Sequence, residues 1–352
     1  MMSFEPTVLE AMPITYRLLG IVRQISEYKG KQDLYQRQSP QVLETLRQVA
    51  MIQSTESSNR IEGVTAPAHR IRSLVELKTT PQNRSEQEIA GYRDVLGTIH
   101  ANATDITFSS NVMLQLHRDL YQFLPGRGGS WKRTNNDIVE TRPDGTEVVR
   151  FSPVAAHATP DAMRTLHDRF ADRWDAGHIE PLMLIAAYVL DFLCIHPFHD
   201  GNGRMARLIT TLLMYQSGYE VGRYISLEQI VERTKESYYD ALLQSSTGWH
   251  EGRHDLTPWV EYLLGVVVLS AWRELDRRIG LVQGARGTKT AMVLDVIDRM
   301  VGEISVSDLQ ERCPTVSVDL IRRVLRQERD HGRVECLGRG PRARWRKIVQ
   351  HP

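Results

Sequence analysis

Several features that would assign this chain to a secreted, zinc-clasped or membrane-spanning class are missing. Its three cysteines, Cys194, Cys313 and Cys336, are odd in number and scattered. That argues against a disulfide framework or a four-cysteine zinc site and points to a reducing setting. No run reaches the roughly 18 apolar residues that a membrane span needs. The candidates 181–195 and 263–272 are both too short. Excess charge of one sign is missing as well: 44 basic against 43 acidic residues leave the whole molecule without a nucleic-acid bias. At the N-terminus Glu5 and Glu10 interrupt any basic-then-apolar leader pattern. The expectation is a cytoplasmic protein with no membrane partner. Its 352 residues allow two or three domains and a large core.

What is present is mostly helical periodicity. Apolar residues at helical spacing (Leu18, Leu19, Val22, Ile25, then Val42, Leu43, Leu46, Val49) predict two helices over 13–51, joined by a polar connection at 29–39. A further short helix is predicted over 52–63, stopped by Gly63 with Pro67 beyond. Ser58 and Glu62 are four apart on it and share a face, which on spacing alone reads as a solvated helix end. Helices follow over 85–101 and 110–124, the latter capped by Ser109 or Ser110. The stretch 126–153 changes character. Strand-prone segments 131–139 and 146–151 flank Arg142-Pro143-Asp144-Gly145, a turn signal, so a β-hairpin is expected. Helices are then predicted over 159–176, 180–195, 205–218, 227–246 and 256–278.

Between two of these helices lies H-P-F-H-D-G-N-G-R-M-A-R, residues 196–207. Gly201, Asn202 and Gly203 open a helix, so their backbone N–H groups are free and meet the positive end of the helix dipole. Arg204 and Arg207 lie on adjacent turns of one face, where two guanidinium forks would hold successive phosphates. Asp200 beside an anion site calls for an intervening cation, and Mg²⁺ binds through few carboxylates plus phosphate oxygens. His196 titrates near neutrality and can take a proton from an incoming hydroxyl. Rival readings exist. A zinc site of His196, His199 and Asp200 does not call for two arginines. A thiol pair of Cys194 and His196 would draw its cysteine from an apolar helix, where thiols are inert.

The same twelve residues resemble the signature loop H-P-F-x-[D/E]-G-N-G-R-x-x-R of the Fic (filamentation induced by cAMP) family, matching every specified position. The resemblance covers approximately residues 50–265. Ser58-Asn59-Arg60-Ile61-Glu62-Gly63 is similar to the family's inhibitory motif [S/T]-x-x-x-E-[G/N]. The hairpin resembles its flap and Tyr238-Tyr239 its nucleotide-lining tyrosine pair.

The resemblance implies AMPylation, the transfer of AMP from ATP to a Ser, Thr or Tyr hydroxyl of a target protein. His196 would be the base and Asp200 the Mg²⁺ ligand. Gly201, Asn202 and Gly203 would cradle the phosphates, with Arg204 on the β-phosphate and Arg207 on the γ-phosphate. Ile138 and Val139 of the flap, with Tyr238 and Tyr239, would complete the ATP site. Glu62, supported by Ser58, would hold the enzyme autoinhibited through Arg207, and in some relatives the same glutamate serves de-AMPylation. Self-modification and a homodimer also belong to the family's repertoire.

The C-terminus supplies a different expectation. Gly280-Leu-Val-Gln-Gly-Ala-Arg-Gly287 reads as a linker. Beyond it come helices over 289–300, 306–312 and 317–330 and a strand–loop–strand over 334–348, the order of a winged helix-turn-helix. Arg322, Arg323, Arg326 and Arg329 on its third helix, with Arg333, Arg339, Arg342, Arg344, Arg346 and Lys347 around its wing, suit phosphate-backbone contact with DNA. A packing or protein-interaction role is the alternative for such a reused fold. The chain as a whole is therefore expected to be mainly α: a helical Fic fold with a β-hairpin flap and a C-terminal winged helix. The expected boundaries are an N-terminal region 1–95 with an inhibitory helix near 52–63, a core 96–279, a linker 280–287 and a winged domain 288–352. The competing functional reading is a DNA-binding transcriptional regulator that uses the core as a nucleotide sensor.

Overall fold

The computed structural model describes residues 1–352 apart from 39, 125, 127, 142–144, 285–287, 300–302, 314–315, 339–342 and 349–352. Two compact units are formed, Met1–Leu275 and Asp276–Pro352. The first is helical apart from one hairpin. It contains α1 (Tyr16–Gln38), α2 (Pro40–Ile61), α3 (Ala68–Val75), α4 (Arg84–Asn102) and α5 (Ser110–Leu120). The antiparallel strands β1 (Ile138–Thr141) and β2 (Glu147–Phe151) follow, with a register shift between Ile138 and Val139. Then come α6 (Thr159–Ala176), α7 (Pro181–Ile195), α8 (Asn202–Gln216), α9 (Leu227–Arg233), α10 (Lys235–Ser246) and α11 (Thr257–Val260). A π-helical stretch, Glu261–Val268, leads on into α12 (Leu269–Gly284).

The core is built around α7. Pro181 pre-sets its first turn, and twelve of its fifteen residues are buried, so it is enclosed on all sides by its neighbours. Each fully buried Leu, Ile or Phe there contributes about 1.5–3 kcal/mol. Its one buried carboxylate, Asp191, is satisfied by the Ser3 backbone N–H (3.1 Å), the Ser3 hydroxyl (2.7 Å) and Trp249 Nε1 (2.5 Å). Because α7 is immobilised along its whole length, whatever its C-terminal residue presents is also fixed.

Several helix limits differ from the sequence expectation. The polar stretch 29–39 is no connection: α1 runs through it to Gln38. Polarity does not break a helix, and Gly30 costs only about 1 kcal/mol in an interior position. The separate helix over 52–63 is the last part of α2, since nothing between Met51 and Ile61 terminates it. Gly63 then stops the chain with φ +78°, as its type predicts. The single helix over 227–246 is divided at Thr234, whose hydroxyl bonds back to the Ile230 carbonyl. Of the strand expected over 131–139 only the end from Ile138 pairs; of the expected turn, 142–144 lie outside the described residues. Helix α12 continues to Gly284, past the point where composition predicts a linker.

The second unit contains α13 (Thr288–Arg299), β3 (Glu303–Ser305), α14 (Val306–Arg312), α15 (Val318–Asp330), β4 (Val334–Leu337) and β5 (Arg344–Lys347). Its three strands pair antiparallel in the order β3-β5-β4. The strand β3 is too short for periodicity to reveal. Val293, Leu309, Ile321, Leu325 and Trp345 form the core of this unit. Ser305 and Ser317 cap α14 and α15. Among the described residues no helix is long and apolar enough to cross a membrane.

Candidate active site

The site is made where α7 ends and α8 begins. His196 is the C-cap of α7 and takes a left-handed conformation (φ 50°), its N–H donating to the Phe192 carbonyl at 2.9 Å. A residue with a Cβ pays about 1–3 kcal/mol for that conformation, which persists only where the surroundings impose it. The surroundings here are well defined. Asn202 spans the loop, accepting from the Phe198 N–H (2.9 Å) and donating to the Phe198 carbonyl (2.8 Å). Phe198 stacks on His117 with ring centroids 3.6 Å apart. His117 accepts from the Gly129 N–H through Nδ1 and therefore donates from Nε2 to the Asp200 carbonyl at 3.0 Å. Burial lowers its pKa to about 4, which keeps that tautomer neutral.

Helix α8 opens at Gly201 (φ 82°) and Asn202. Its first N–H groups have no intrahelical partner and face an anion-binding position. That position holds a carboxylate. Glu62, from the residue pair that follows α2, reaches so close that a Cβ placed on Gly203 would lie 2.2 Å from its Oε1. The same Oε1 accepts from an Arg207 guanidinium nitrogen at 2.8 Å. Ser58 completes the grip, its Oγ accepting from Arg207 Nε at 2.8 Å and its carbonyl from the guanidinium at 2.9 Å. Burial works against the charge on Arg207, and Glu62 together with Tyr238 and Tyr92 outweighs it, raising the pKa of the guanidinium above its ordinary value.

The two arginines are not equivalent. Arg204 is 1% exposed and points inward, donating to Glu88 (2.8 Å), Tyr121 Oη (2.7 Å) and Asn59 Oδ1 (3.4 Å). Its guanidinium supports the loop from beneath, while Arg207, also buried, pairs with the more exposed Glu62. Asn202 likewise uses its side chain inside the loop, leaving only its backbone for a ligand. Asp200 is half exposed, with the Arg204 guanidinium 3.8 Å away.

A cavity of about 220 Å³ opens beside the loop, lined by Glu62, His196 and Gly203 at one end. Tyr238, Tyr239, Leu242, Leu243 and Ser246 continue its wall along α10, and Ile138, Arg150 and Phe151 of the hairpin cover it. Ser246 is eight residues beyond Tyr238, so along the helix the wall extends about 12 Å. Tyr238 and Tyr239 meet edge-on with centroids 5.2 Å apart. Val139 is 49% exposed and does not line the cavity, because successive residues of a strand point to opposite faces.

His196 is the basic group of this end. Burial first, then the Lys132 charge, lower its pKa to about 4, against the Leu193 carbonyl, Glu62 and Asp200, which raise it. At neutral pH its imidazole is uncharged and able to accept a proton. Cys194 also lines the cavity, but burial raises its thiol far above the ordinary range, which removes the thiol-nucleophile reading.

Asn59, Glu88, His117, Tyr121 and Lys132 were invisible as site residues in the sequence. They lie 63 to 145 positions from the residues they hold and form no spacing pattern with them.

Residues 107–214 match the model of the Fic/DOC family. The chain is 26% identical over 226 residues to "Protein adenylyltransferase Fic" of Culex quinquefasciatus, a match covering 61% of this chain and 39% of that protein. It is 25% identical over 280 residues to the protein of the same name in Drosophila melanogaster, covering 74% and 51%. The matched stretch thus spans about half the length of these relatives or less. A solved Fic family protein from Desulfovibrio desulfuricans G20 superposes with a TM-score of 0.63 at 22% identity, covering 97% of this chain and 98% of that one. A Fic domain containing signaling protein from Bacteroides thetaiotaomicron VPI-5482 gives 0.60 at 22% identity, covering 74% and 98%. Residues 107–214, which include the whole loop from His196 to Arg207, therefore match the Fic/DOC family, within a chain whose mainly helical fold is that of solved Fic proteins.

Proposed function

We propose that the chain is a protein adenylyltransferase that moves AMP from ATP to a side-chain hydroxyl of a target protein and is restrained by Glu62. The observation that carries this reading is that one cavity is lined by a neutral imidazole, the first turn of α8 at Gly203 and a carboxylate, Glu62, that is paired behind the wall with Arg207. His196 takes the proton of the acceptor hydroxyl at its imidazole nitrogen. The acceptor oxygen bonds to the α-phosphorus, and the bond from that phosphorus to the β-phosphate bridging oxygen breaks, releasing pyrophosphate. The N–H groups of Asn202 and Gly203 and the guanidinium of Arg207 stabilise the phosphates, the Gly201 N–H donating instead to Asp200 Oδ1 at 2.7 Å, so catalysis is chiefly positioning and charge compensation. Anionic phosphate beside His196 raises its basicity from the low value set by burial, towards the range where proton transfer is efficient.

The single half-exposed carboxylate of Asp200 fits Mg²⁺ held jointly with phosphate oxygens and water, and does not fit a metal bound by protein alone. When bound, the ion would neutralise charge along the phosphate chain. The hairpin, with Val139, Val148 and Val149 exposed, offers strand edges to an extended target segment by strand addition.

Restraint follows from occupancy. While Glu62 lies against Gly203 and on Arg207, a γ-phosphate finds both its space and its cation taken. The direct test is intact mass after incubation of the Glu62→Gly protein with ATP and Mg²⁺. A gain of one AMP, lost in a Glu62→Gly, His196→Ala double variant, supports the reading; a mass unchanged in both, with a known acceptor peptide library also unmodified, rejects it.

A second reading, DNA binding through the C-terminal unit as a winged helix, draws on the exposed Arg322, Arg323, Arg326 and Arg329 of α15. Local pairing weakens it: Arg322 is 3.8 Å from Asp319, Arg329 2.9 Å from Asp330 and Arg346 2.6 Å from Glu335.

A further inference from the structure

The segment that leads into the hairpin does not pair as a strand, and its polar groups are used on the loop instead. The Lys132 backbone N–H donates to the Pro197 carbonyl at 2.8 Å. Its ammonium group donates to the Ile195 carbonyl at 3.0 Å and to Asn136 Oδ1 at 2.9 Å. Asn136 in turn donates to the Phe198 carbonyl at 3.2 Å. Three of the four carbonyls from Ile195 to Phe198 are thus held by residues 132–136, immediately before β1.

Lys132 is 4% exposed, and no carboxylate is within salt-bridge distance of it among the described residues. Burial works against the charge of this ammonium group and lowers its pKa to about 8, with Asp137 offsetting the burial only in part, so its place here needs a reason. Capping the C-terminus of α7 is one: the Ile195 carbonyl is an orphan of the helix end and attracts a cation. A cap alone, however, does not require the lysine to come from the base of the hairpin, nor to stand beside His196. The groups that face His196 are Lys132 from the hairpin base, Glu62 from the end of α2, Asp200 from the loop and the Leu193 carbonyl of α7 itself. Lys132 is the cation in that set.

We propose that Lys132 is a positioning residue: through Ile195, Pro197 and Asn136 it holds His196 in its left-handed conformation and ties the base to the hairpin that receives the acceptor. The inference rests on the transferase reading of the site. Strain in the His196 backbone is maintained by a cation that belongs to the flap, so a target segment added to the hairpin and the imidazole that deprotonates it share one anchor. The positive charge also disfavours the protonated imidazole. Its loss raises the pKa of His196 through charge alone, so positioning is read from the loss of kcat that the charge-keeping Asn136→Ala shares.

The experiment compares Lys132→Met and Asn136→Ala, each in the Glu62→Gly protein, with that parent. Steady-state AMP transfer is measured against pH, and the His196 ring is titrated by NMR with ¹³C-labelled histidine, its signal assigned by absence in His196→Ala. Lys132→Met is expected to lower kcat by about tenfold to a hundredfold, the share a well-placed base supplies, with the nucleotide KM changed by less than about twofold. It is also expected to move the imidazole midpoint and the acid limb of the rate profile upward by about half a pH unit or more. Asn136→Ala keeps the charge, so it should lower kcat without moving the midpoint. An unmoved midpoint with unchanged kcat overturns the proposal, as does loss of the fold in both variants, which would leave Lys132 a structural cap. If the Glu62→Gly parent transfers no AMP, the functional reading fails, and the imidazole titration still decides the role of Lys132.

Discussion

Glu62 and Arg207 meet at 2.8 Å, at the end of the cavity lined by Glu62, His196 and Gly203. The pair is unevenly buried: the Arg207 side chain is 7% exposed, the Glu62 side chain 32%. Arg207 keeps two acceptors on Ser58 when Glu62 is removed. Glu62→Gly is therefore expected to cost little stability, on the order of 1 kcal/mol once solvent screening of the exposed carboxylate is allowed for. Nucleotide affinity should rise about tenfold or more, because a guanidinium and a helix N-terminus become available together. Calorimetric titration with a non-hydrolysable ATP analogue measures this; equal affinity in both proteins would remove Glu62 as a competitor.

The pair beneath it behaves in the opposite way. Glu88 is the carboxylate held by the fully buried Arg204, with Arg84 on its outer oxygen. Glu88→Ala strands a guanidinium that has no route to water. The expected loss is about 3–5 kcal/mol, as for other broken buried pairs, read as a lower urea midpoint at unchanged slope. A midpoint shift no larger than that of Glu62→Gly would mean that Tyr121 and Asn59 suffice to hold Arg204.

Much of this arrangement could be read from the sequence, for a physical reason. The loop from His196 to Arg207 is local: its glycines, arginines and histidine act on one ligand from twelve consecutive positions, so spacing carries the information. Glu62 became meaningful only beside the family resemblance, since Ser58 and Glu62 at helical spacing otherwise describe a solvated helix end. Asn59, Glu88, Tyr121 and Lys132 act on the loop from other helices or the hairpin base, and single-chain periodicity has no record of tertiary contact. The same limit explains the helix ends. The polar stretch 29–39 has the composition of a connection, yet α1 packs through it; Thr234 breaks a helix through its own hydroxyl where no glycine or proline stands.

Acid should weaken the fold before base does. Burial lowers the pKa of His100 to about 3 and those of His117 and His167 to about 4, from 6.5 when unfolded. A depressed pKa contributes stability that is present above 6.5 and lost as pH falls through the folded value. Each such histidine adds a slope of up to about 1.4 kcal/mol per pH unit in that window. Asp191 acts in the other direction: burial raises it from 3.8 to about 6, so its contribution is lost as pH rises through that range. Three histidines outweigh one carboxylate. Urea unfolding at pH 6.5 and 4.5 is expected to show a fall on the order of a few kcal/mol, and equal midpoints would contradict the buried, neutral state of these rings.

Contact of the C-terminal unit with DNA would show itself through salt. Only exposed cations without a local acid release counterions fully, and Arg323 and Arg326 on α15 belong to that class better than Arg322, Arg329 or Arg346. Gel shifts of the full chain between about 50 and 200 mM salt should then give a shallow slope, reduced by about one for each of Arg323→Ala and Arg326→Ala. No shift at the lowest salt would assign this unit to packing or to a protein partner.

Gly203 sets a limit on how the site can be tuned. The absence of a Cβ there is what admits the Glu62 carboxylate, and it is equally what admits a phosphate to the start of α8. Any side chain at 203 excludes restraint and substrate alike. On the proposed function, a side chain at Gly203 would therefore remove restraint and substrate together, whereas a change at Glu62 would remove the restraint alone.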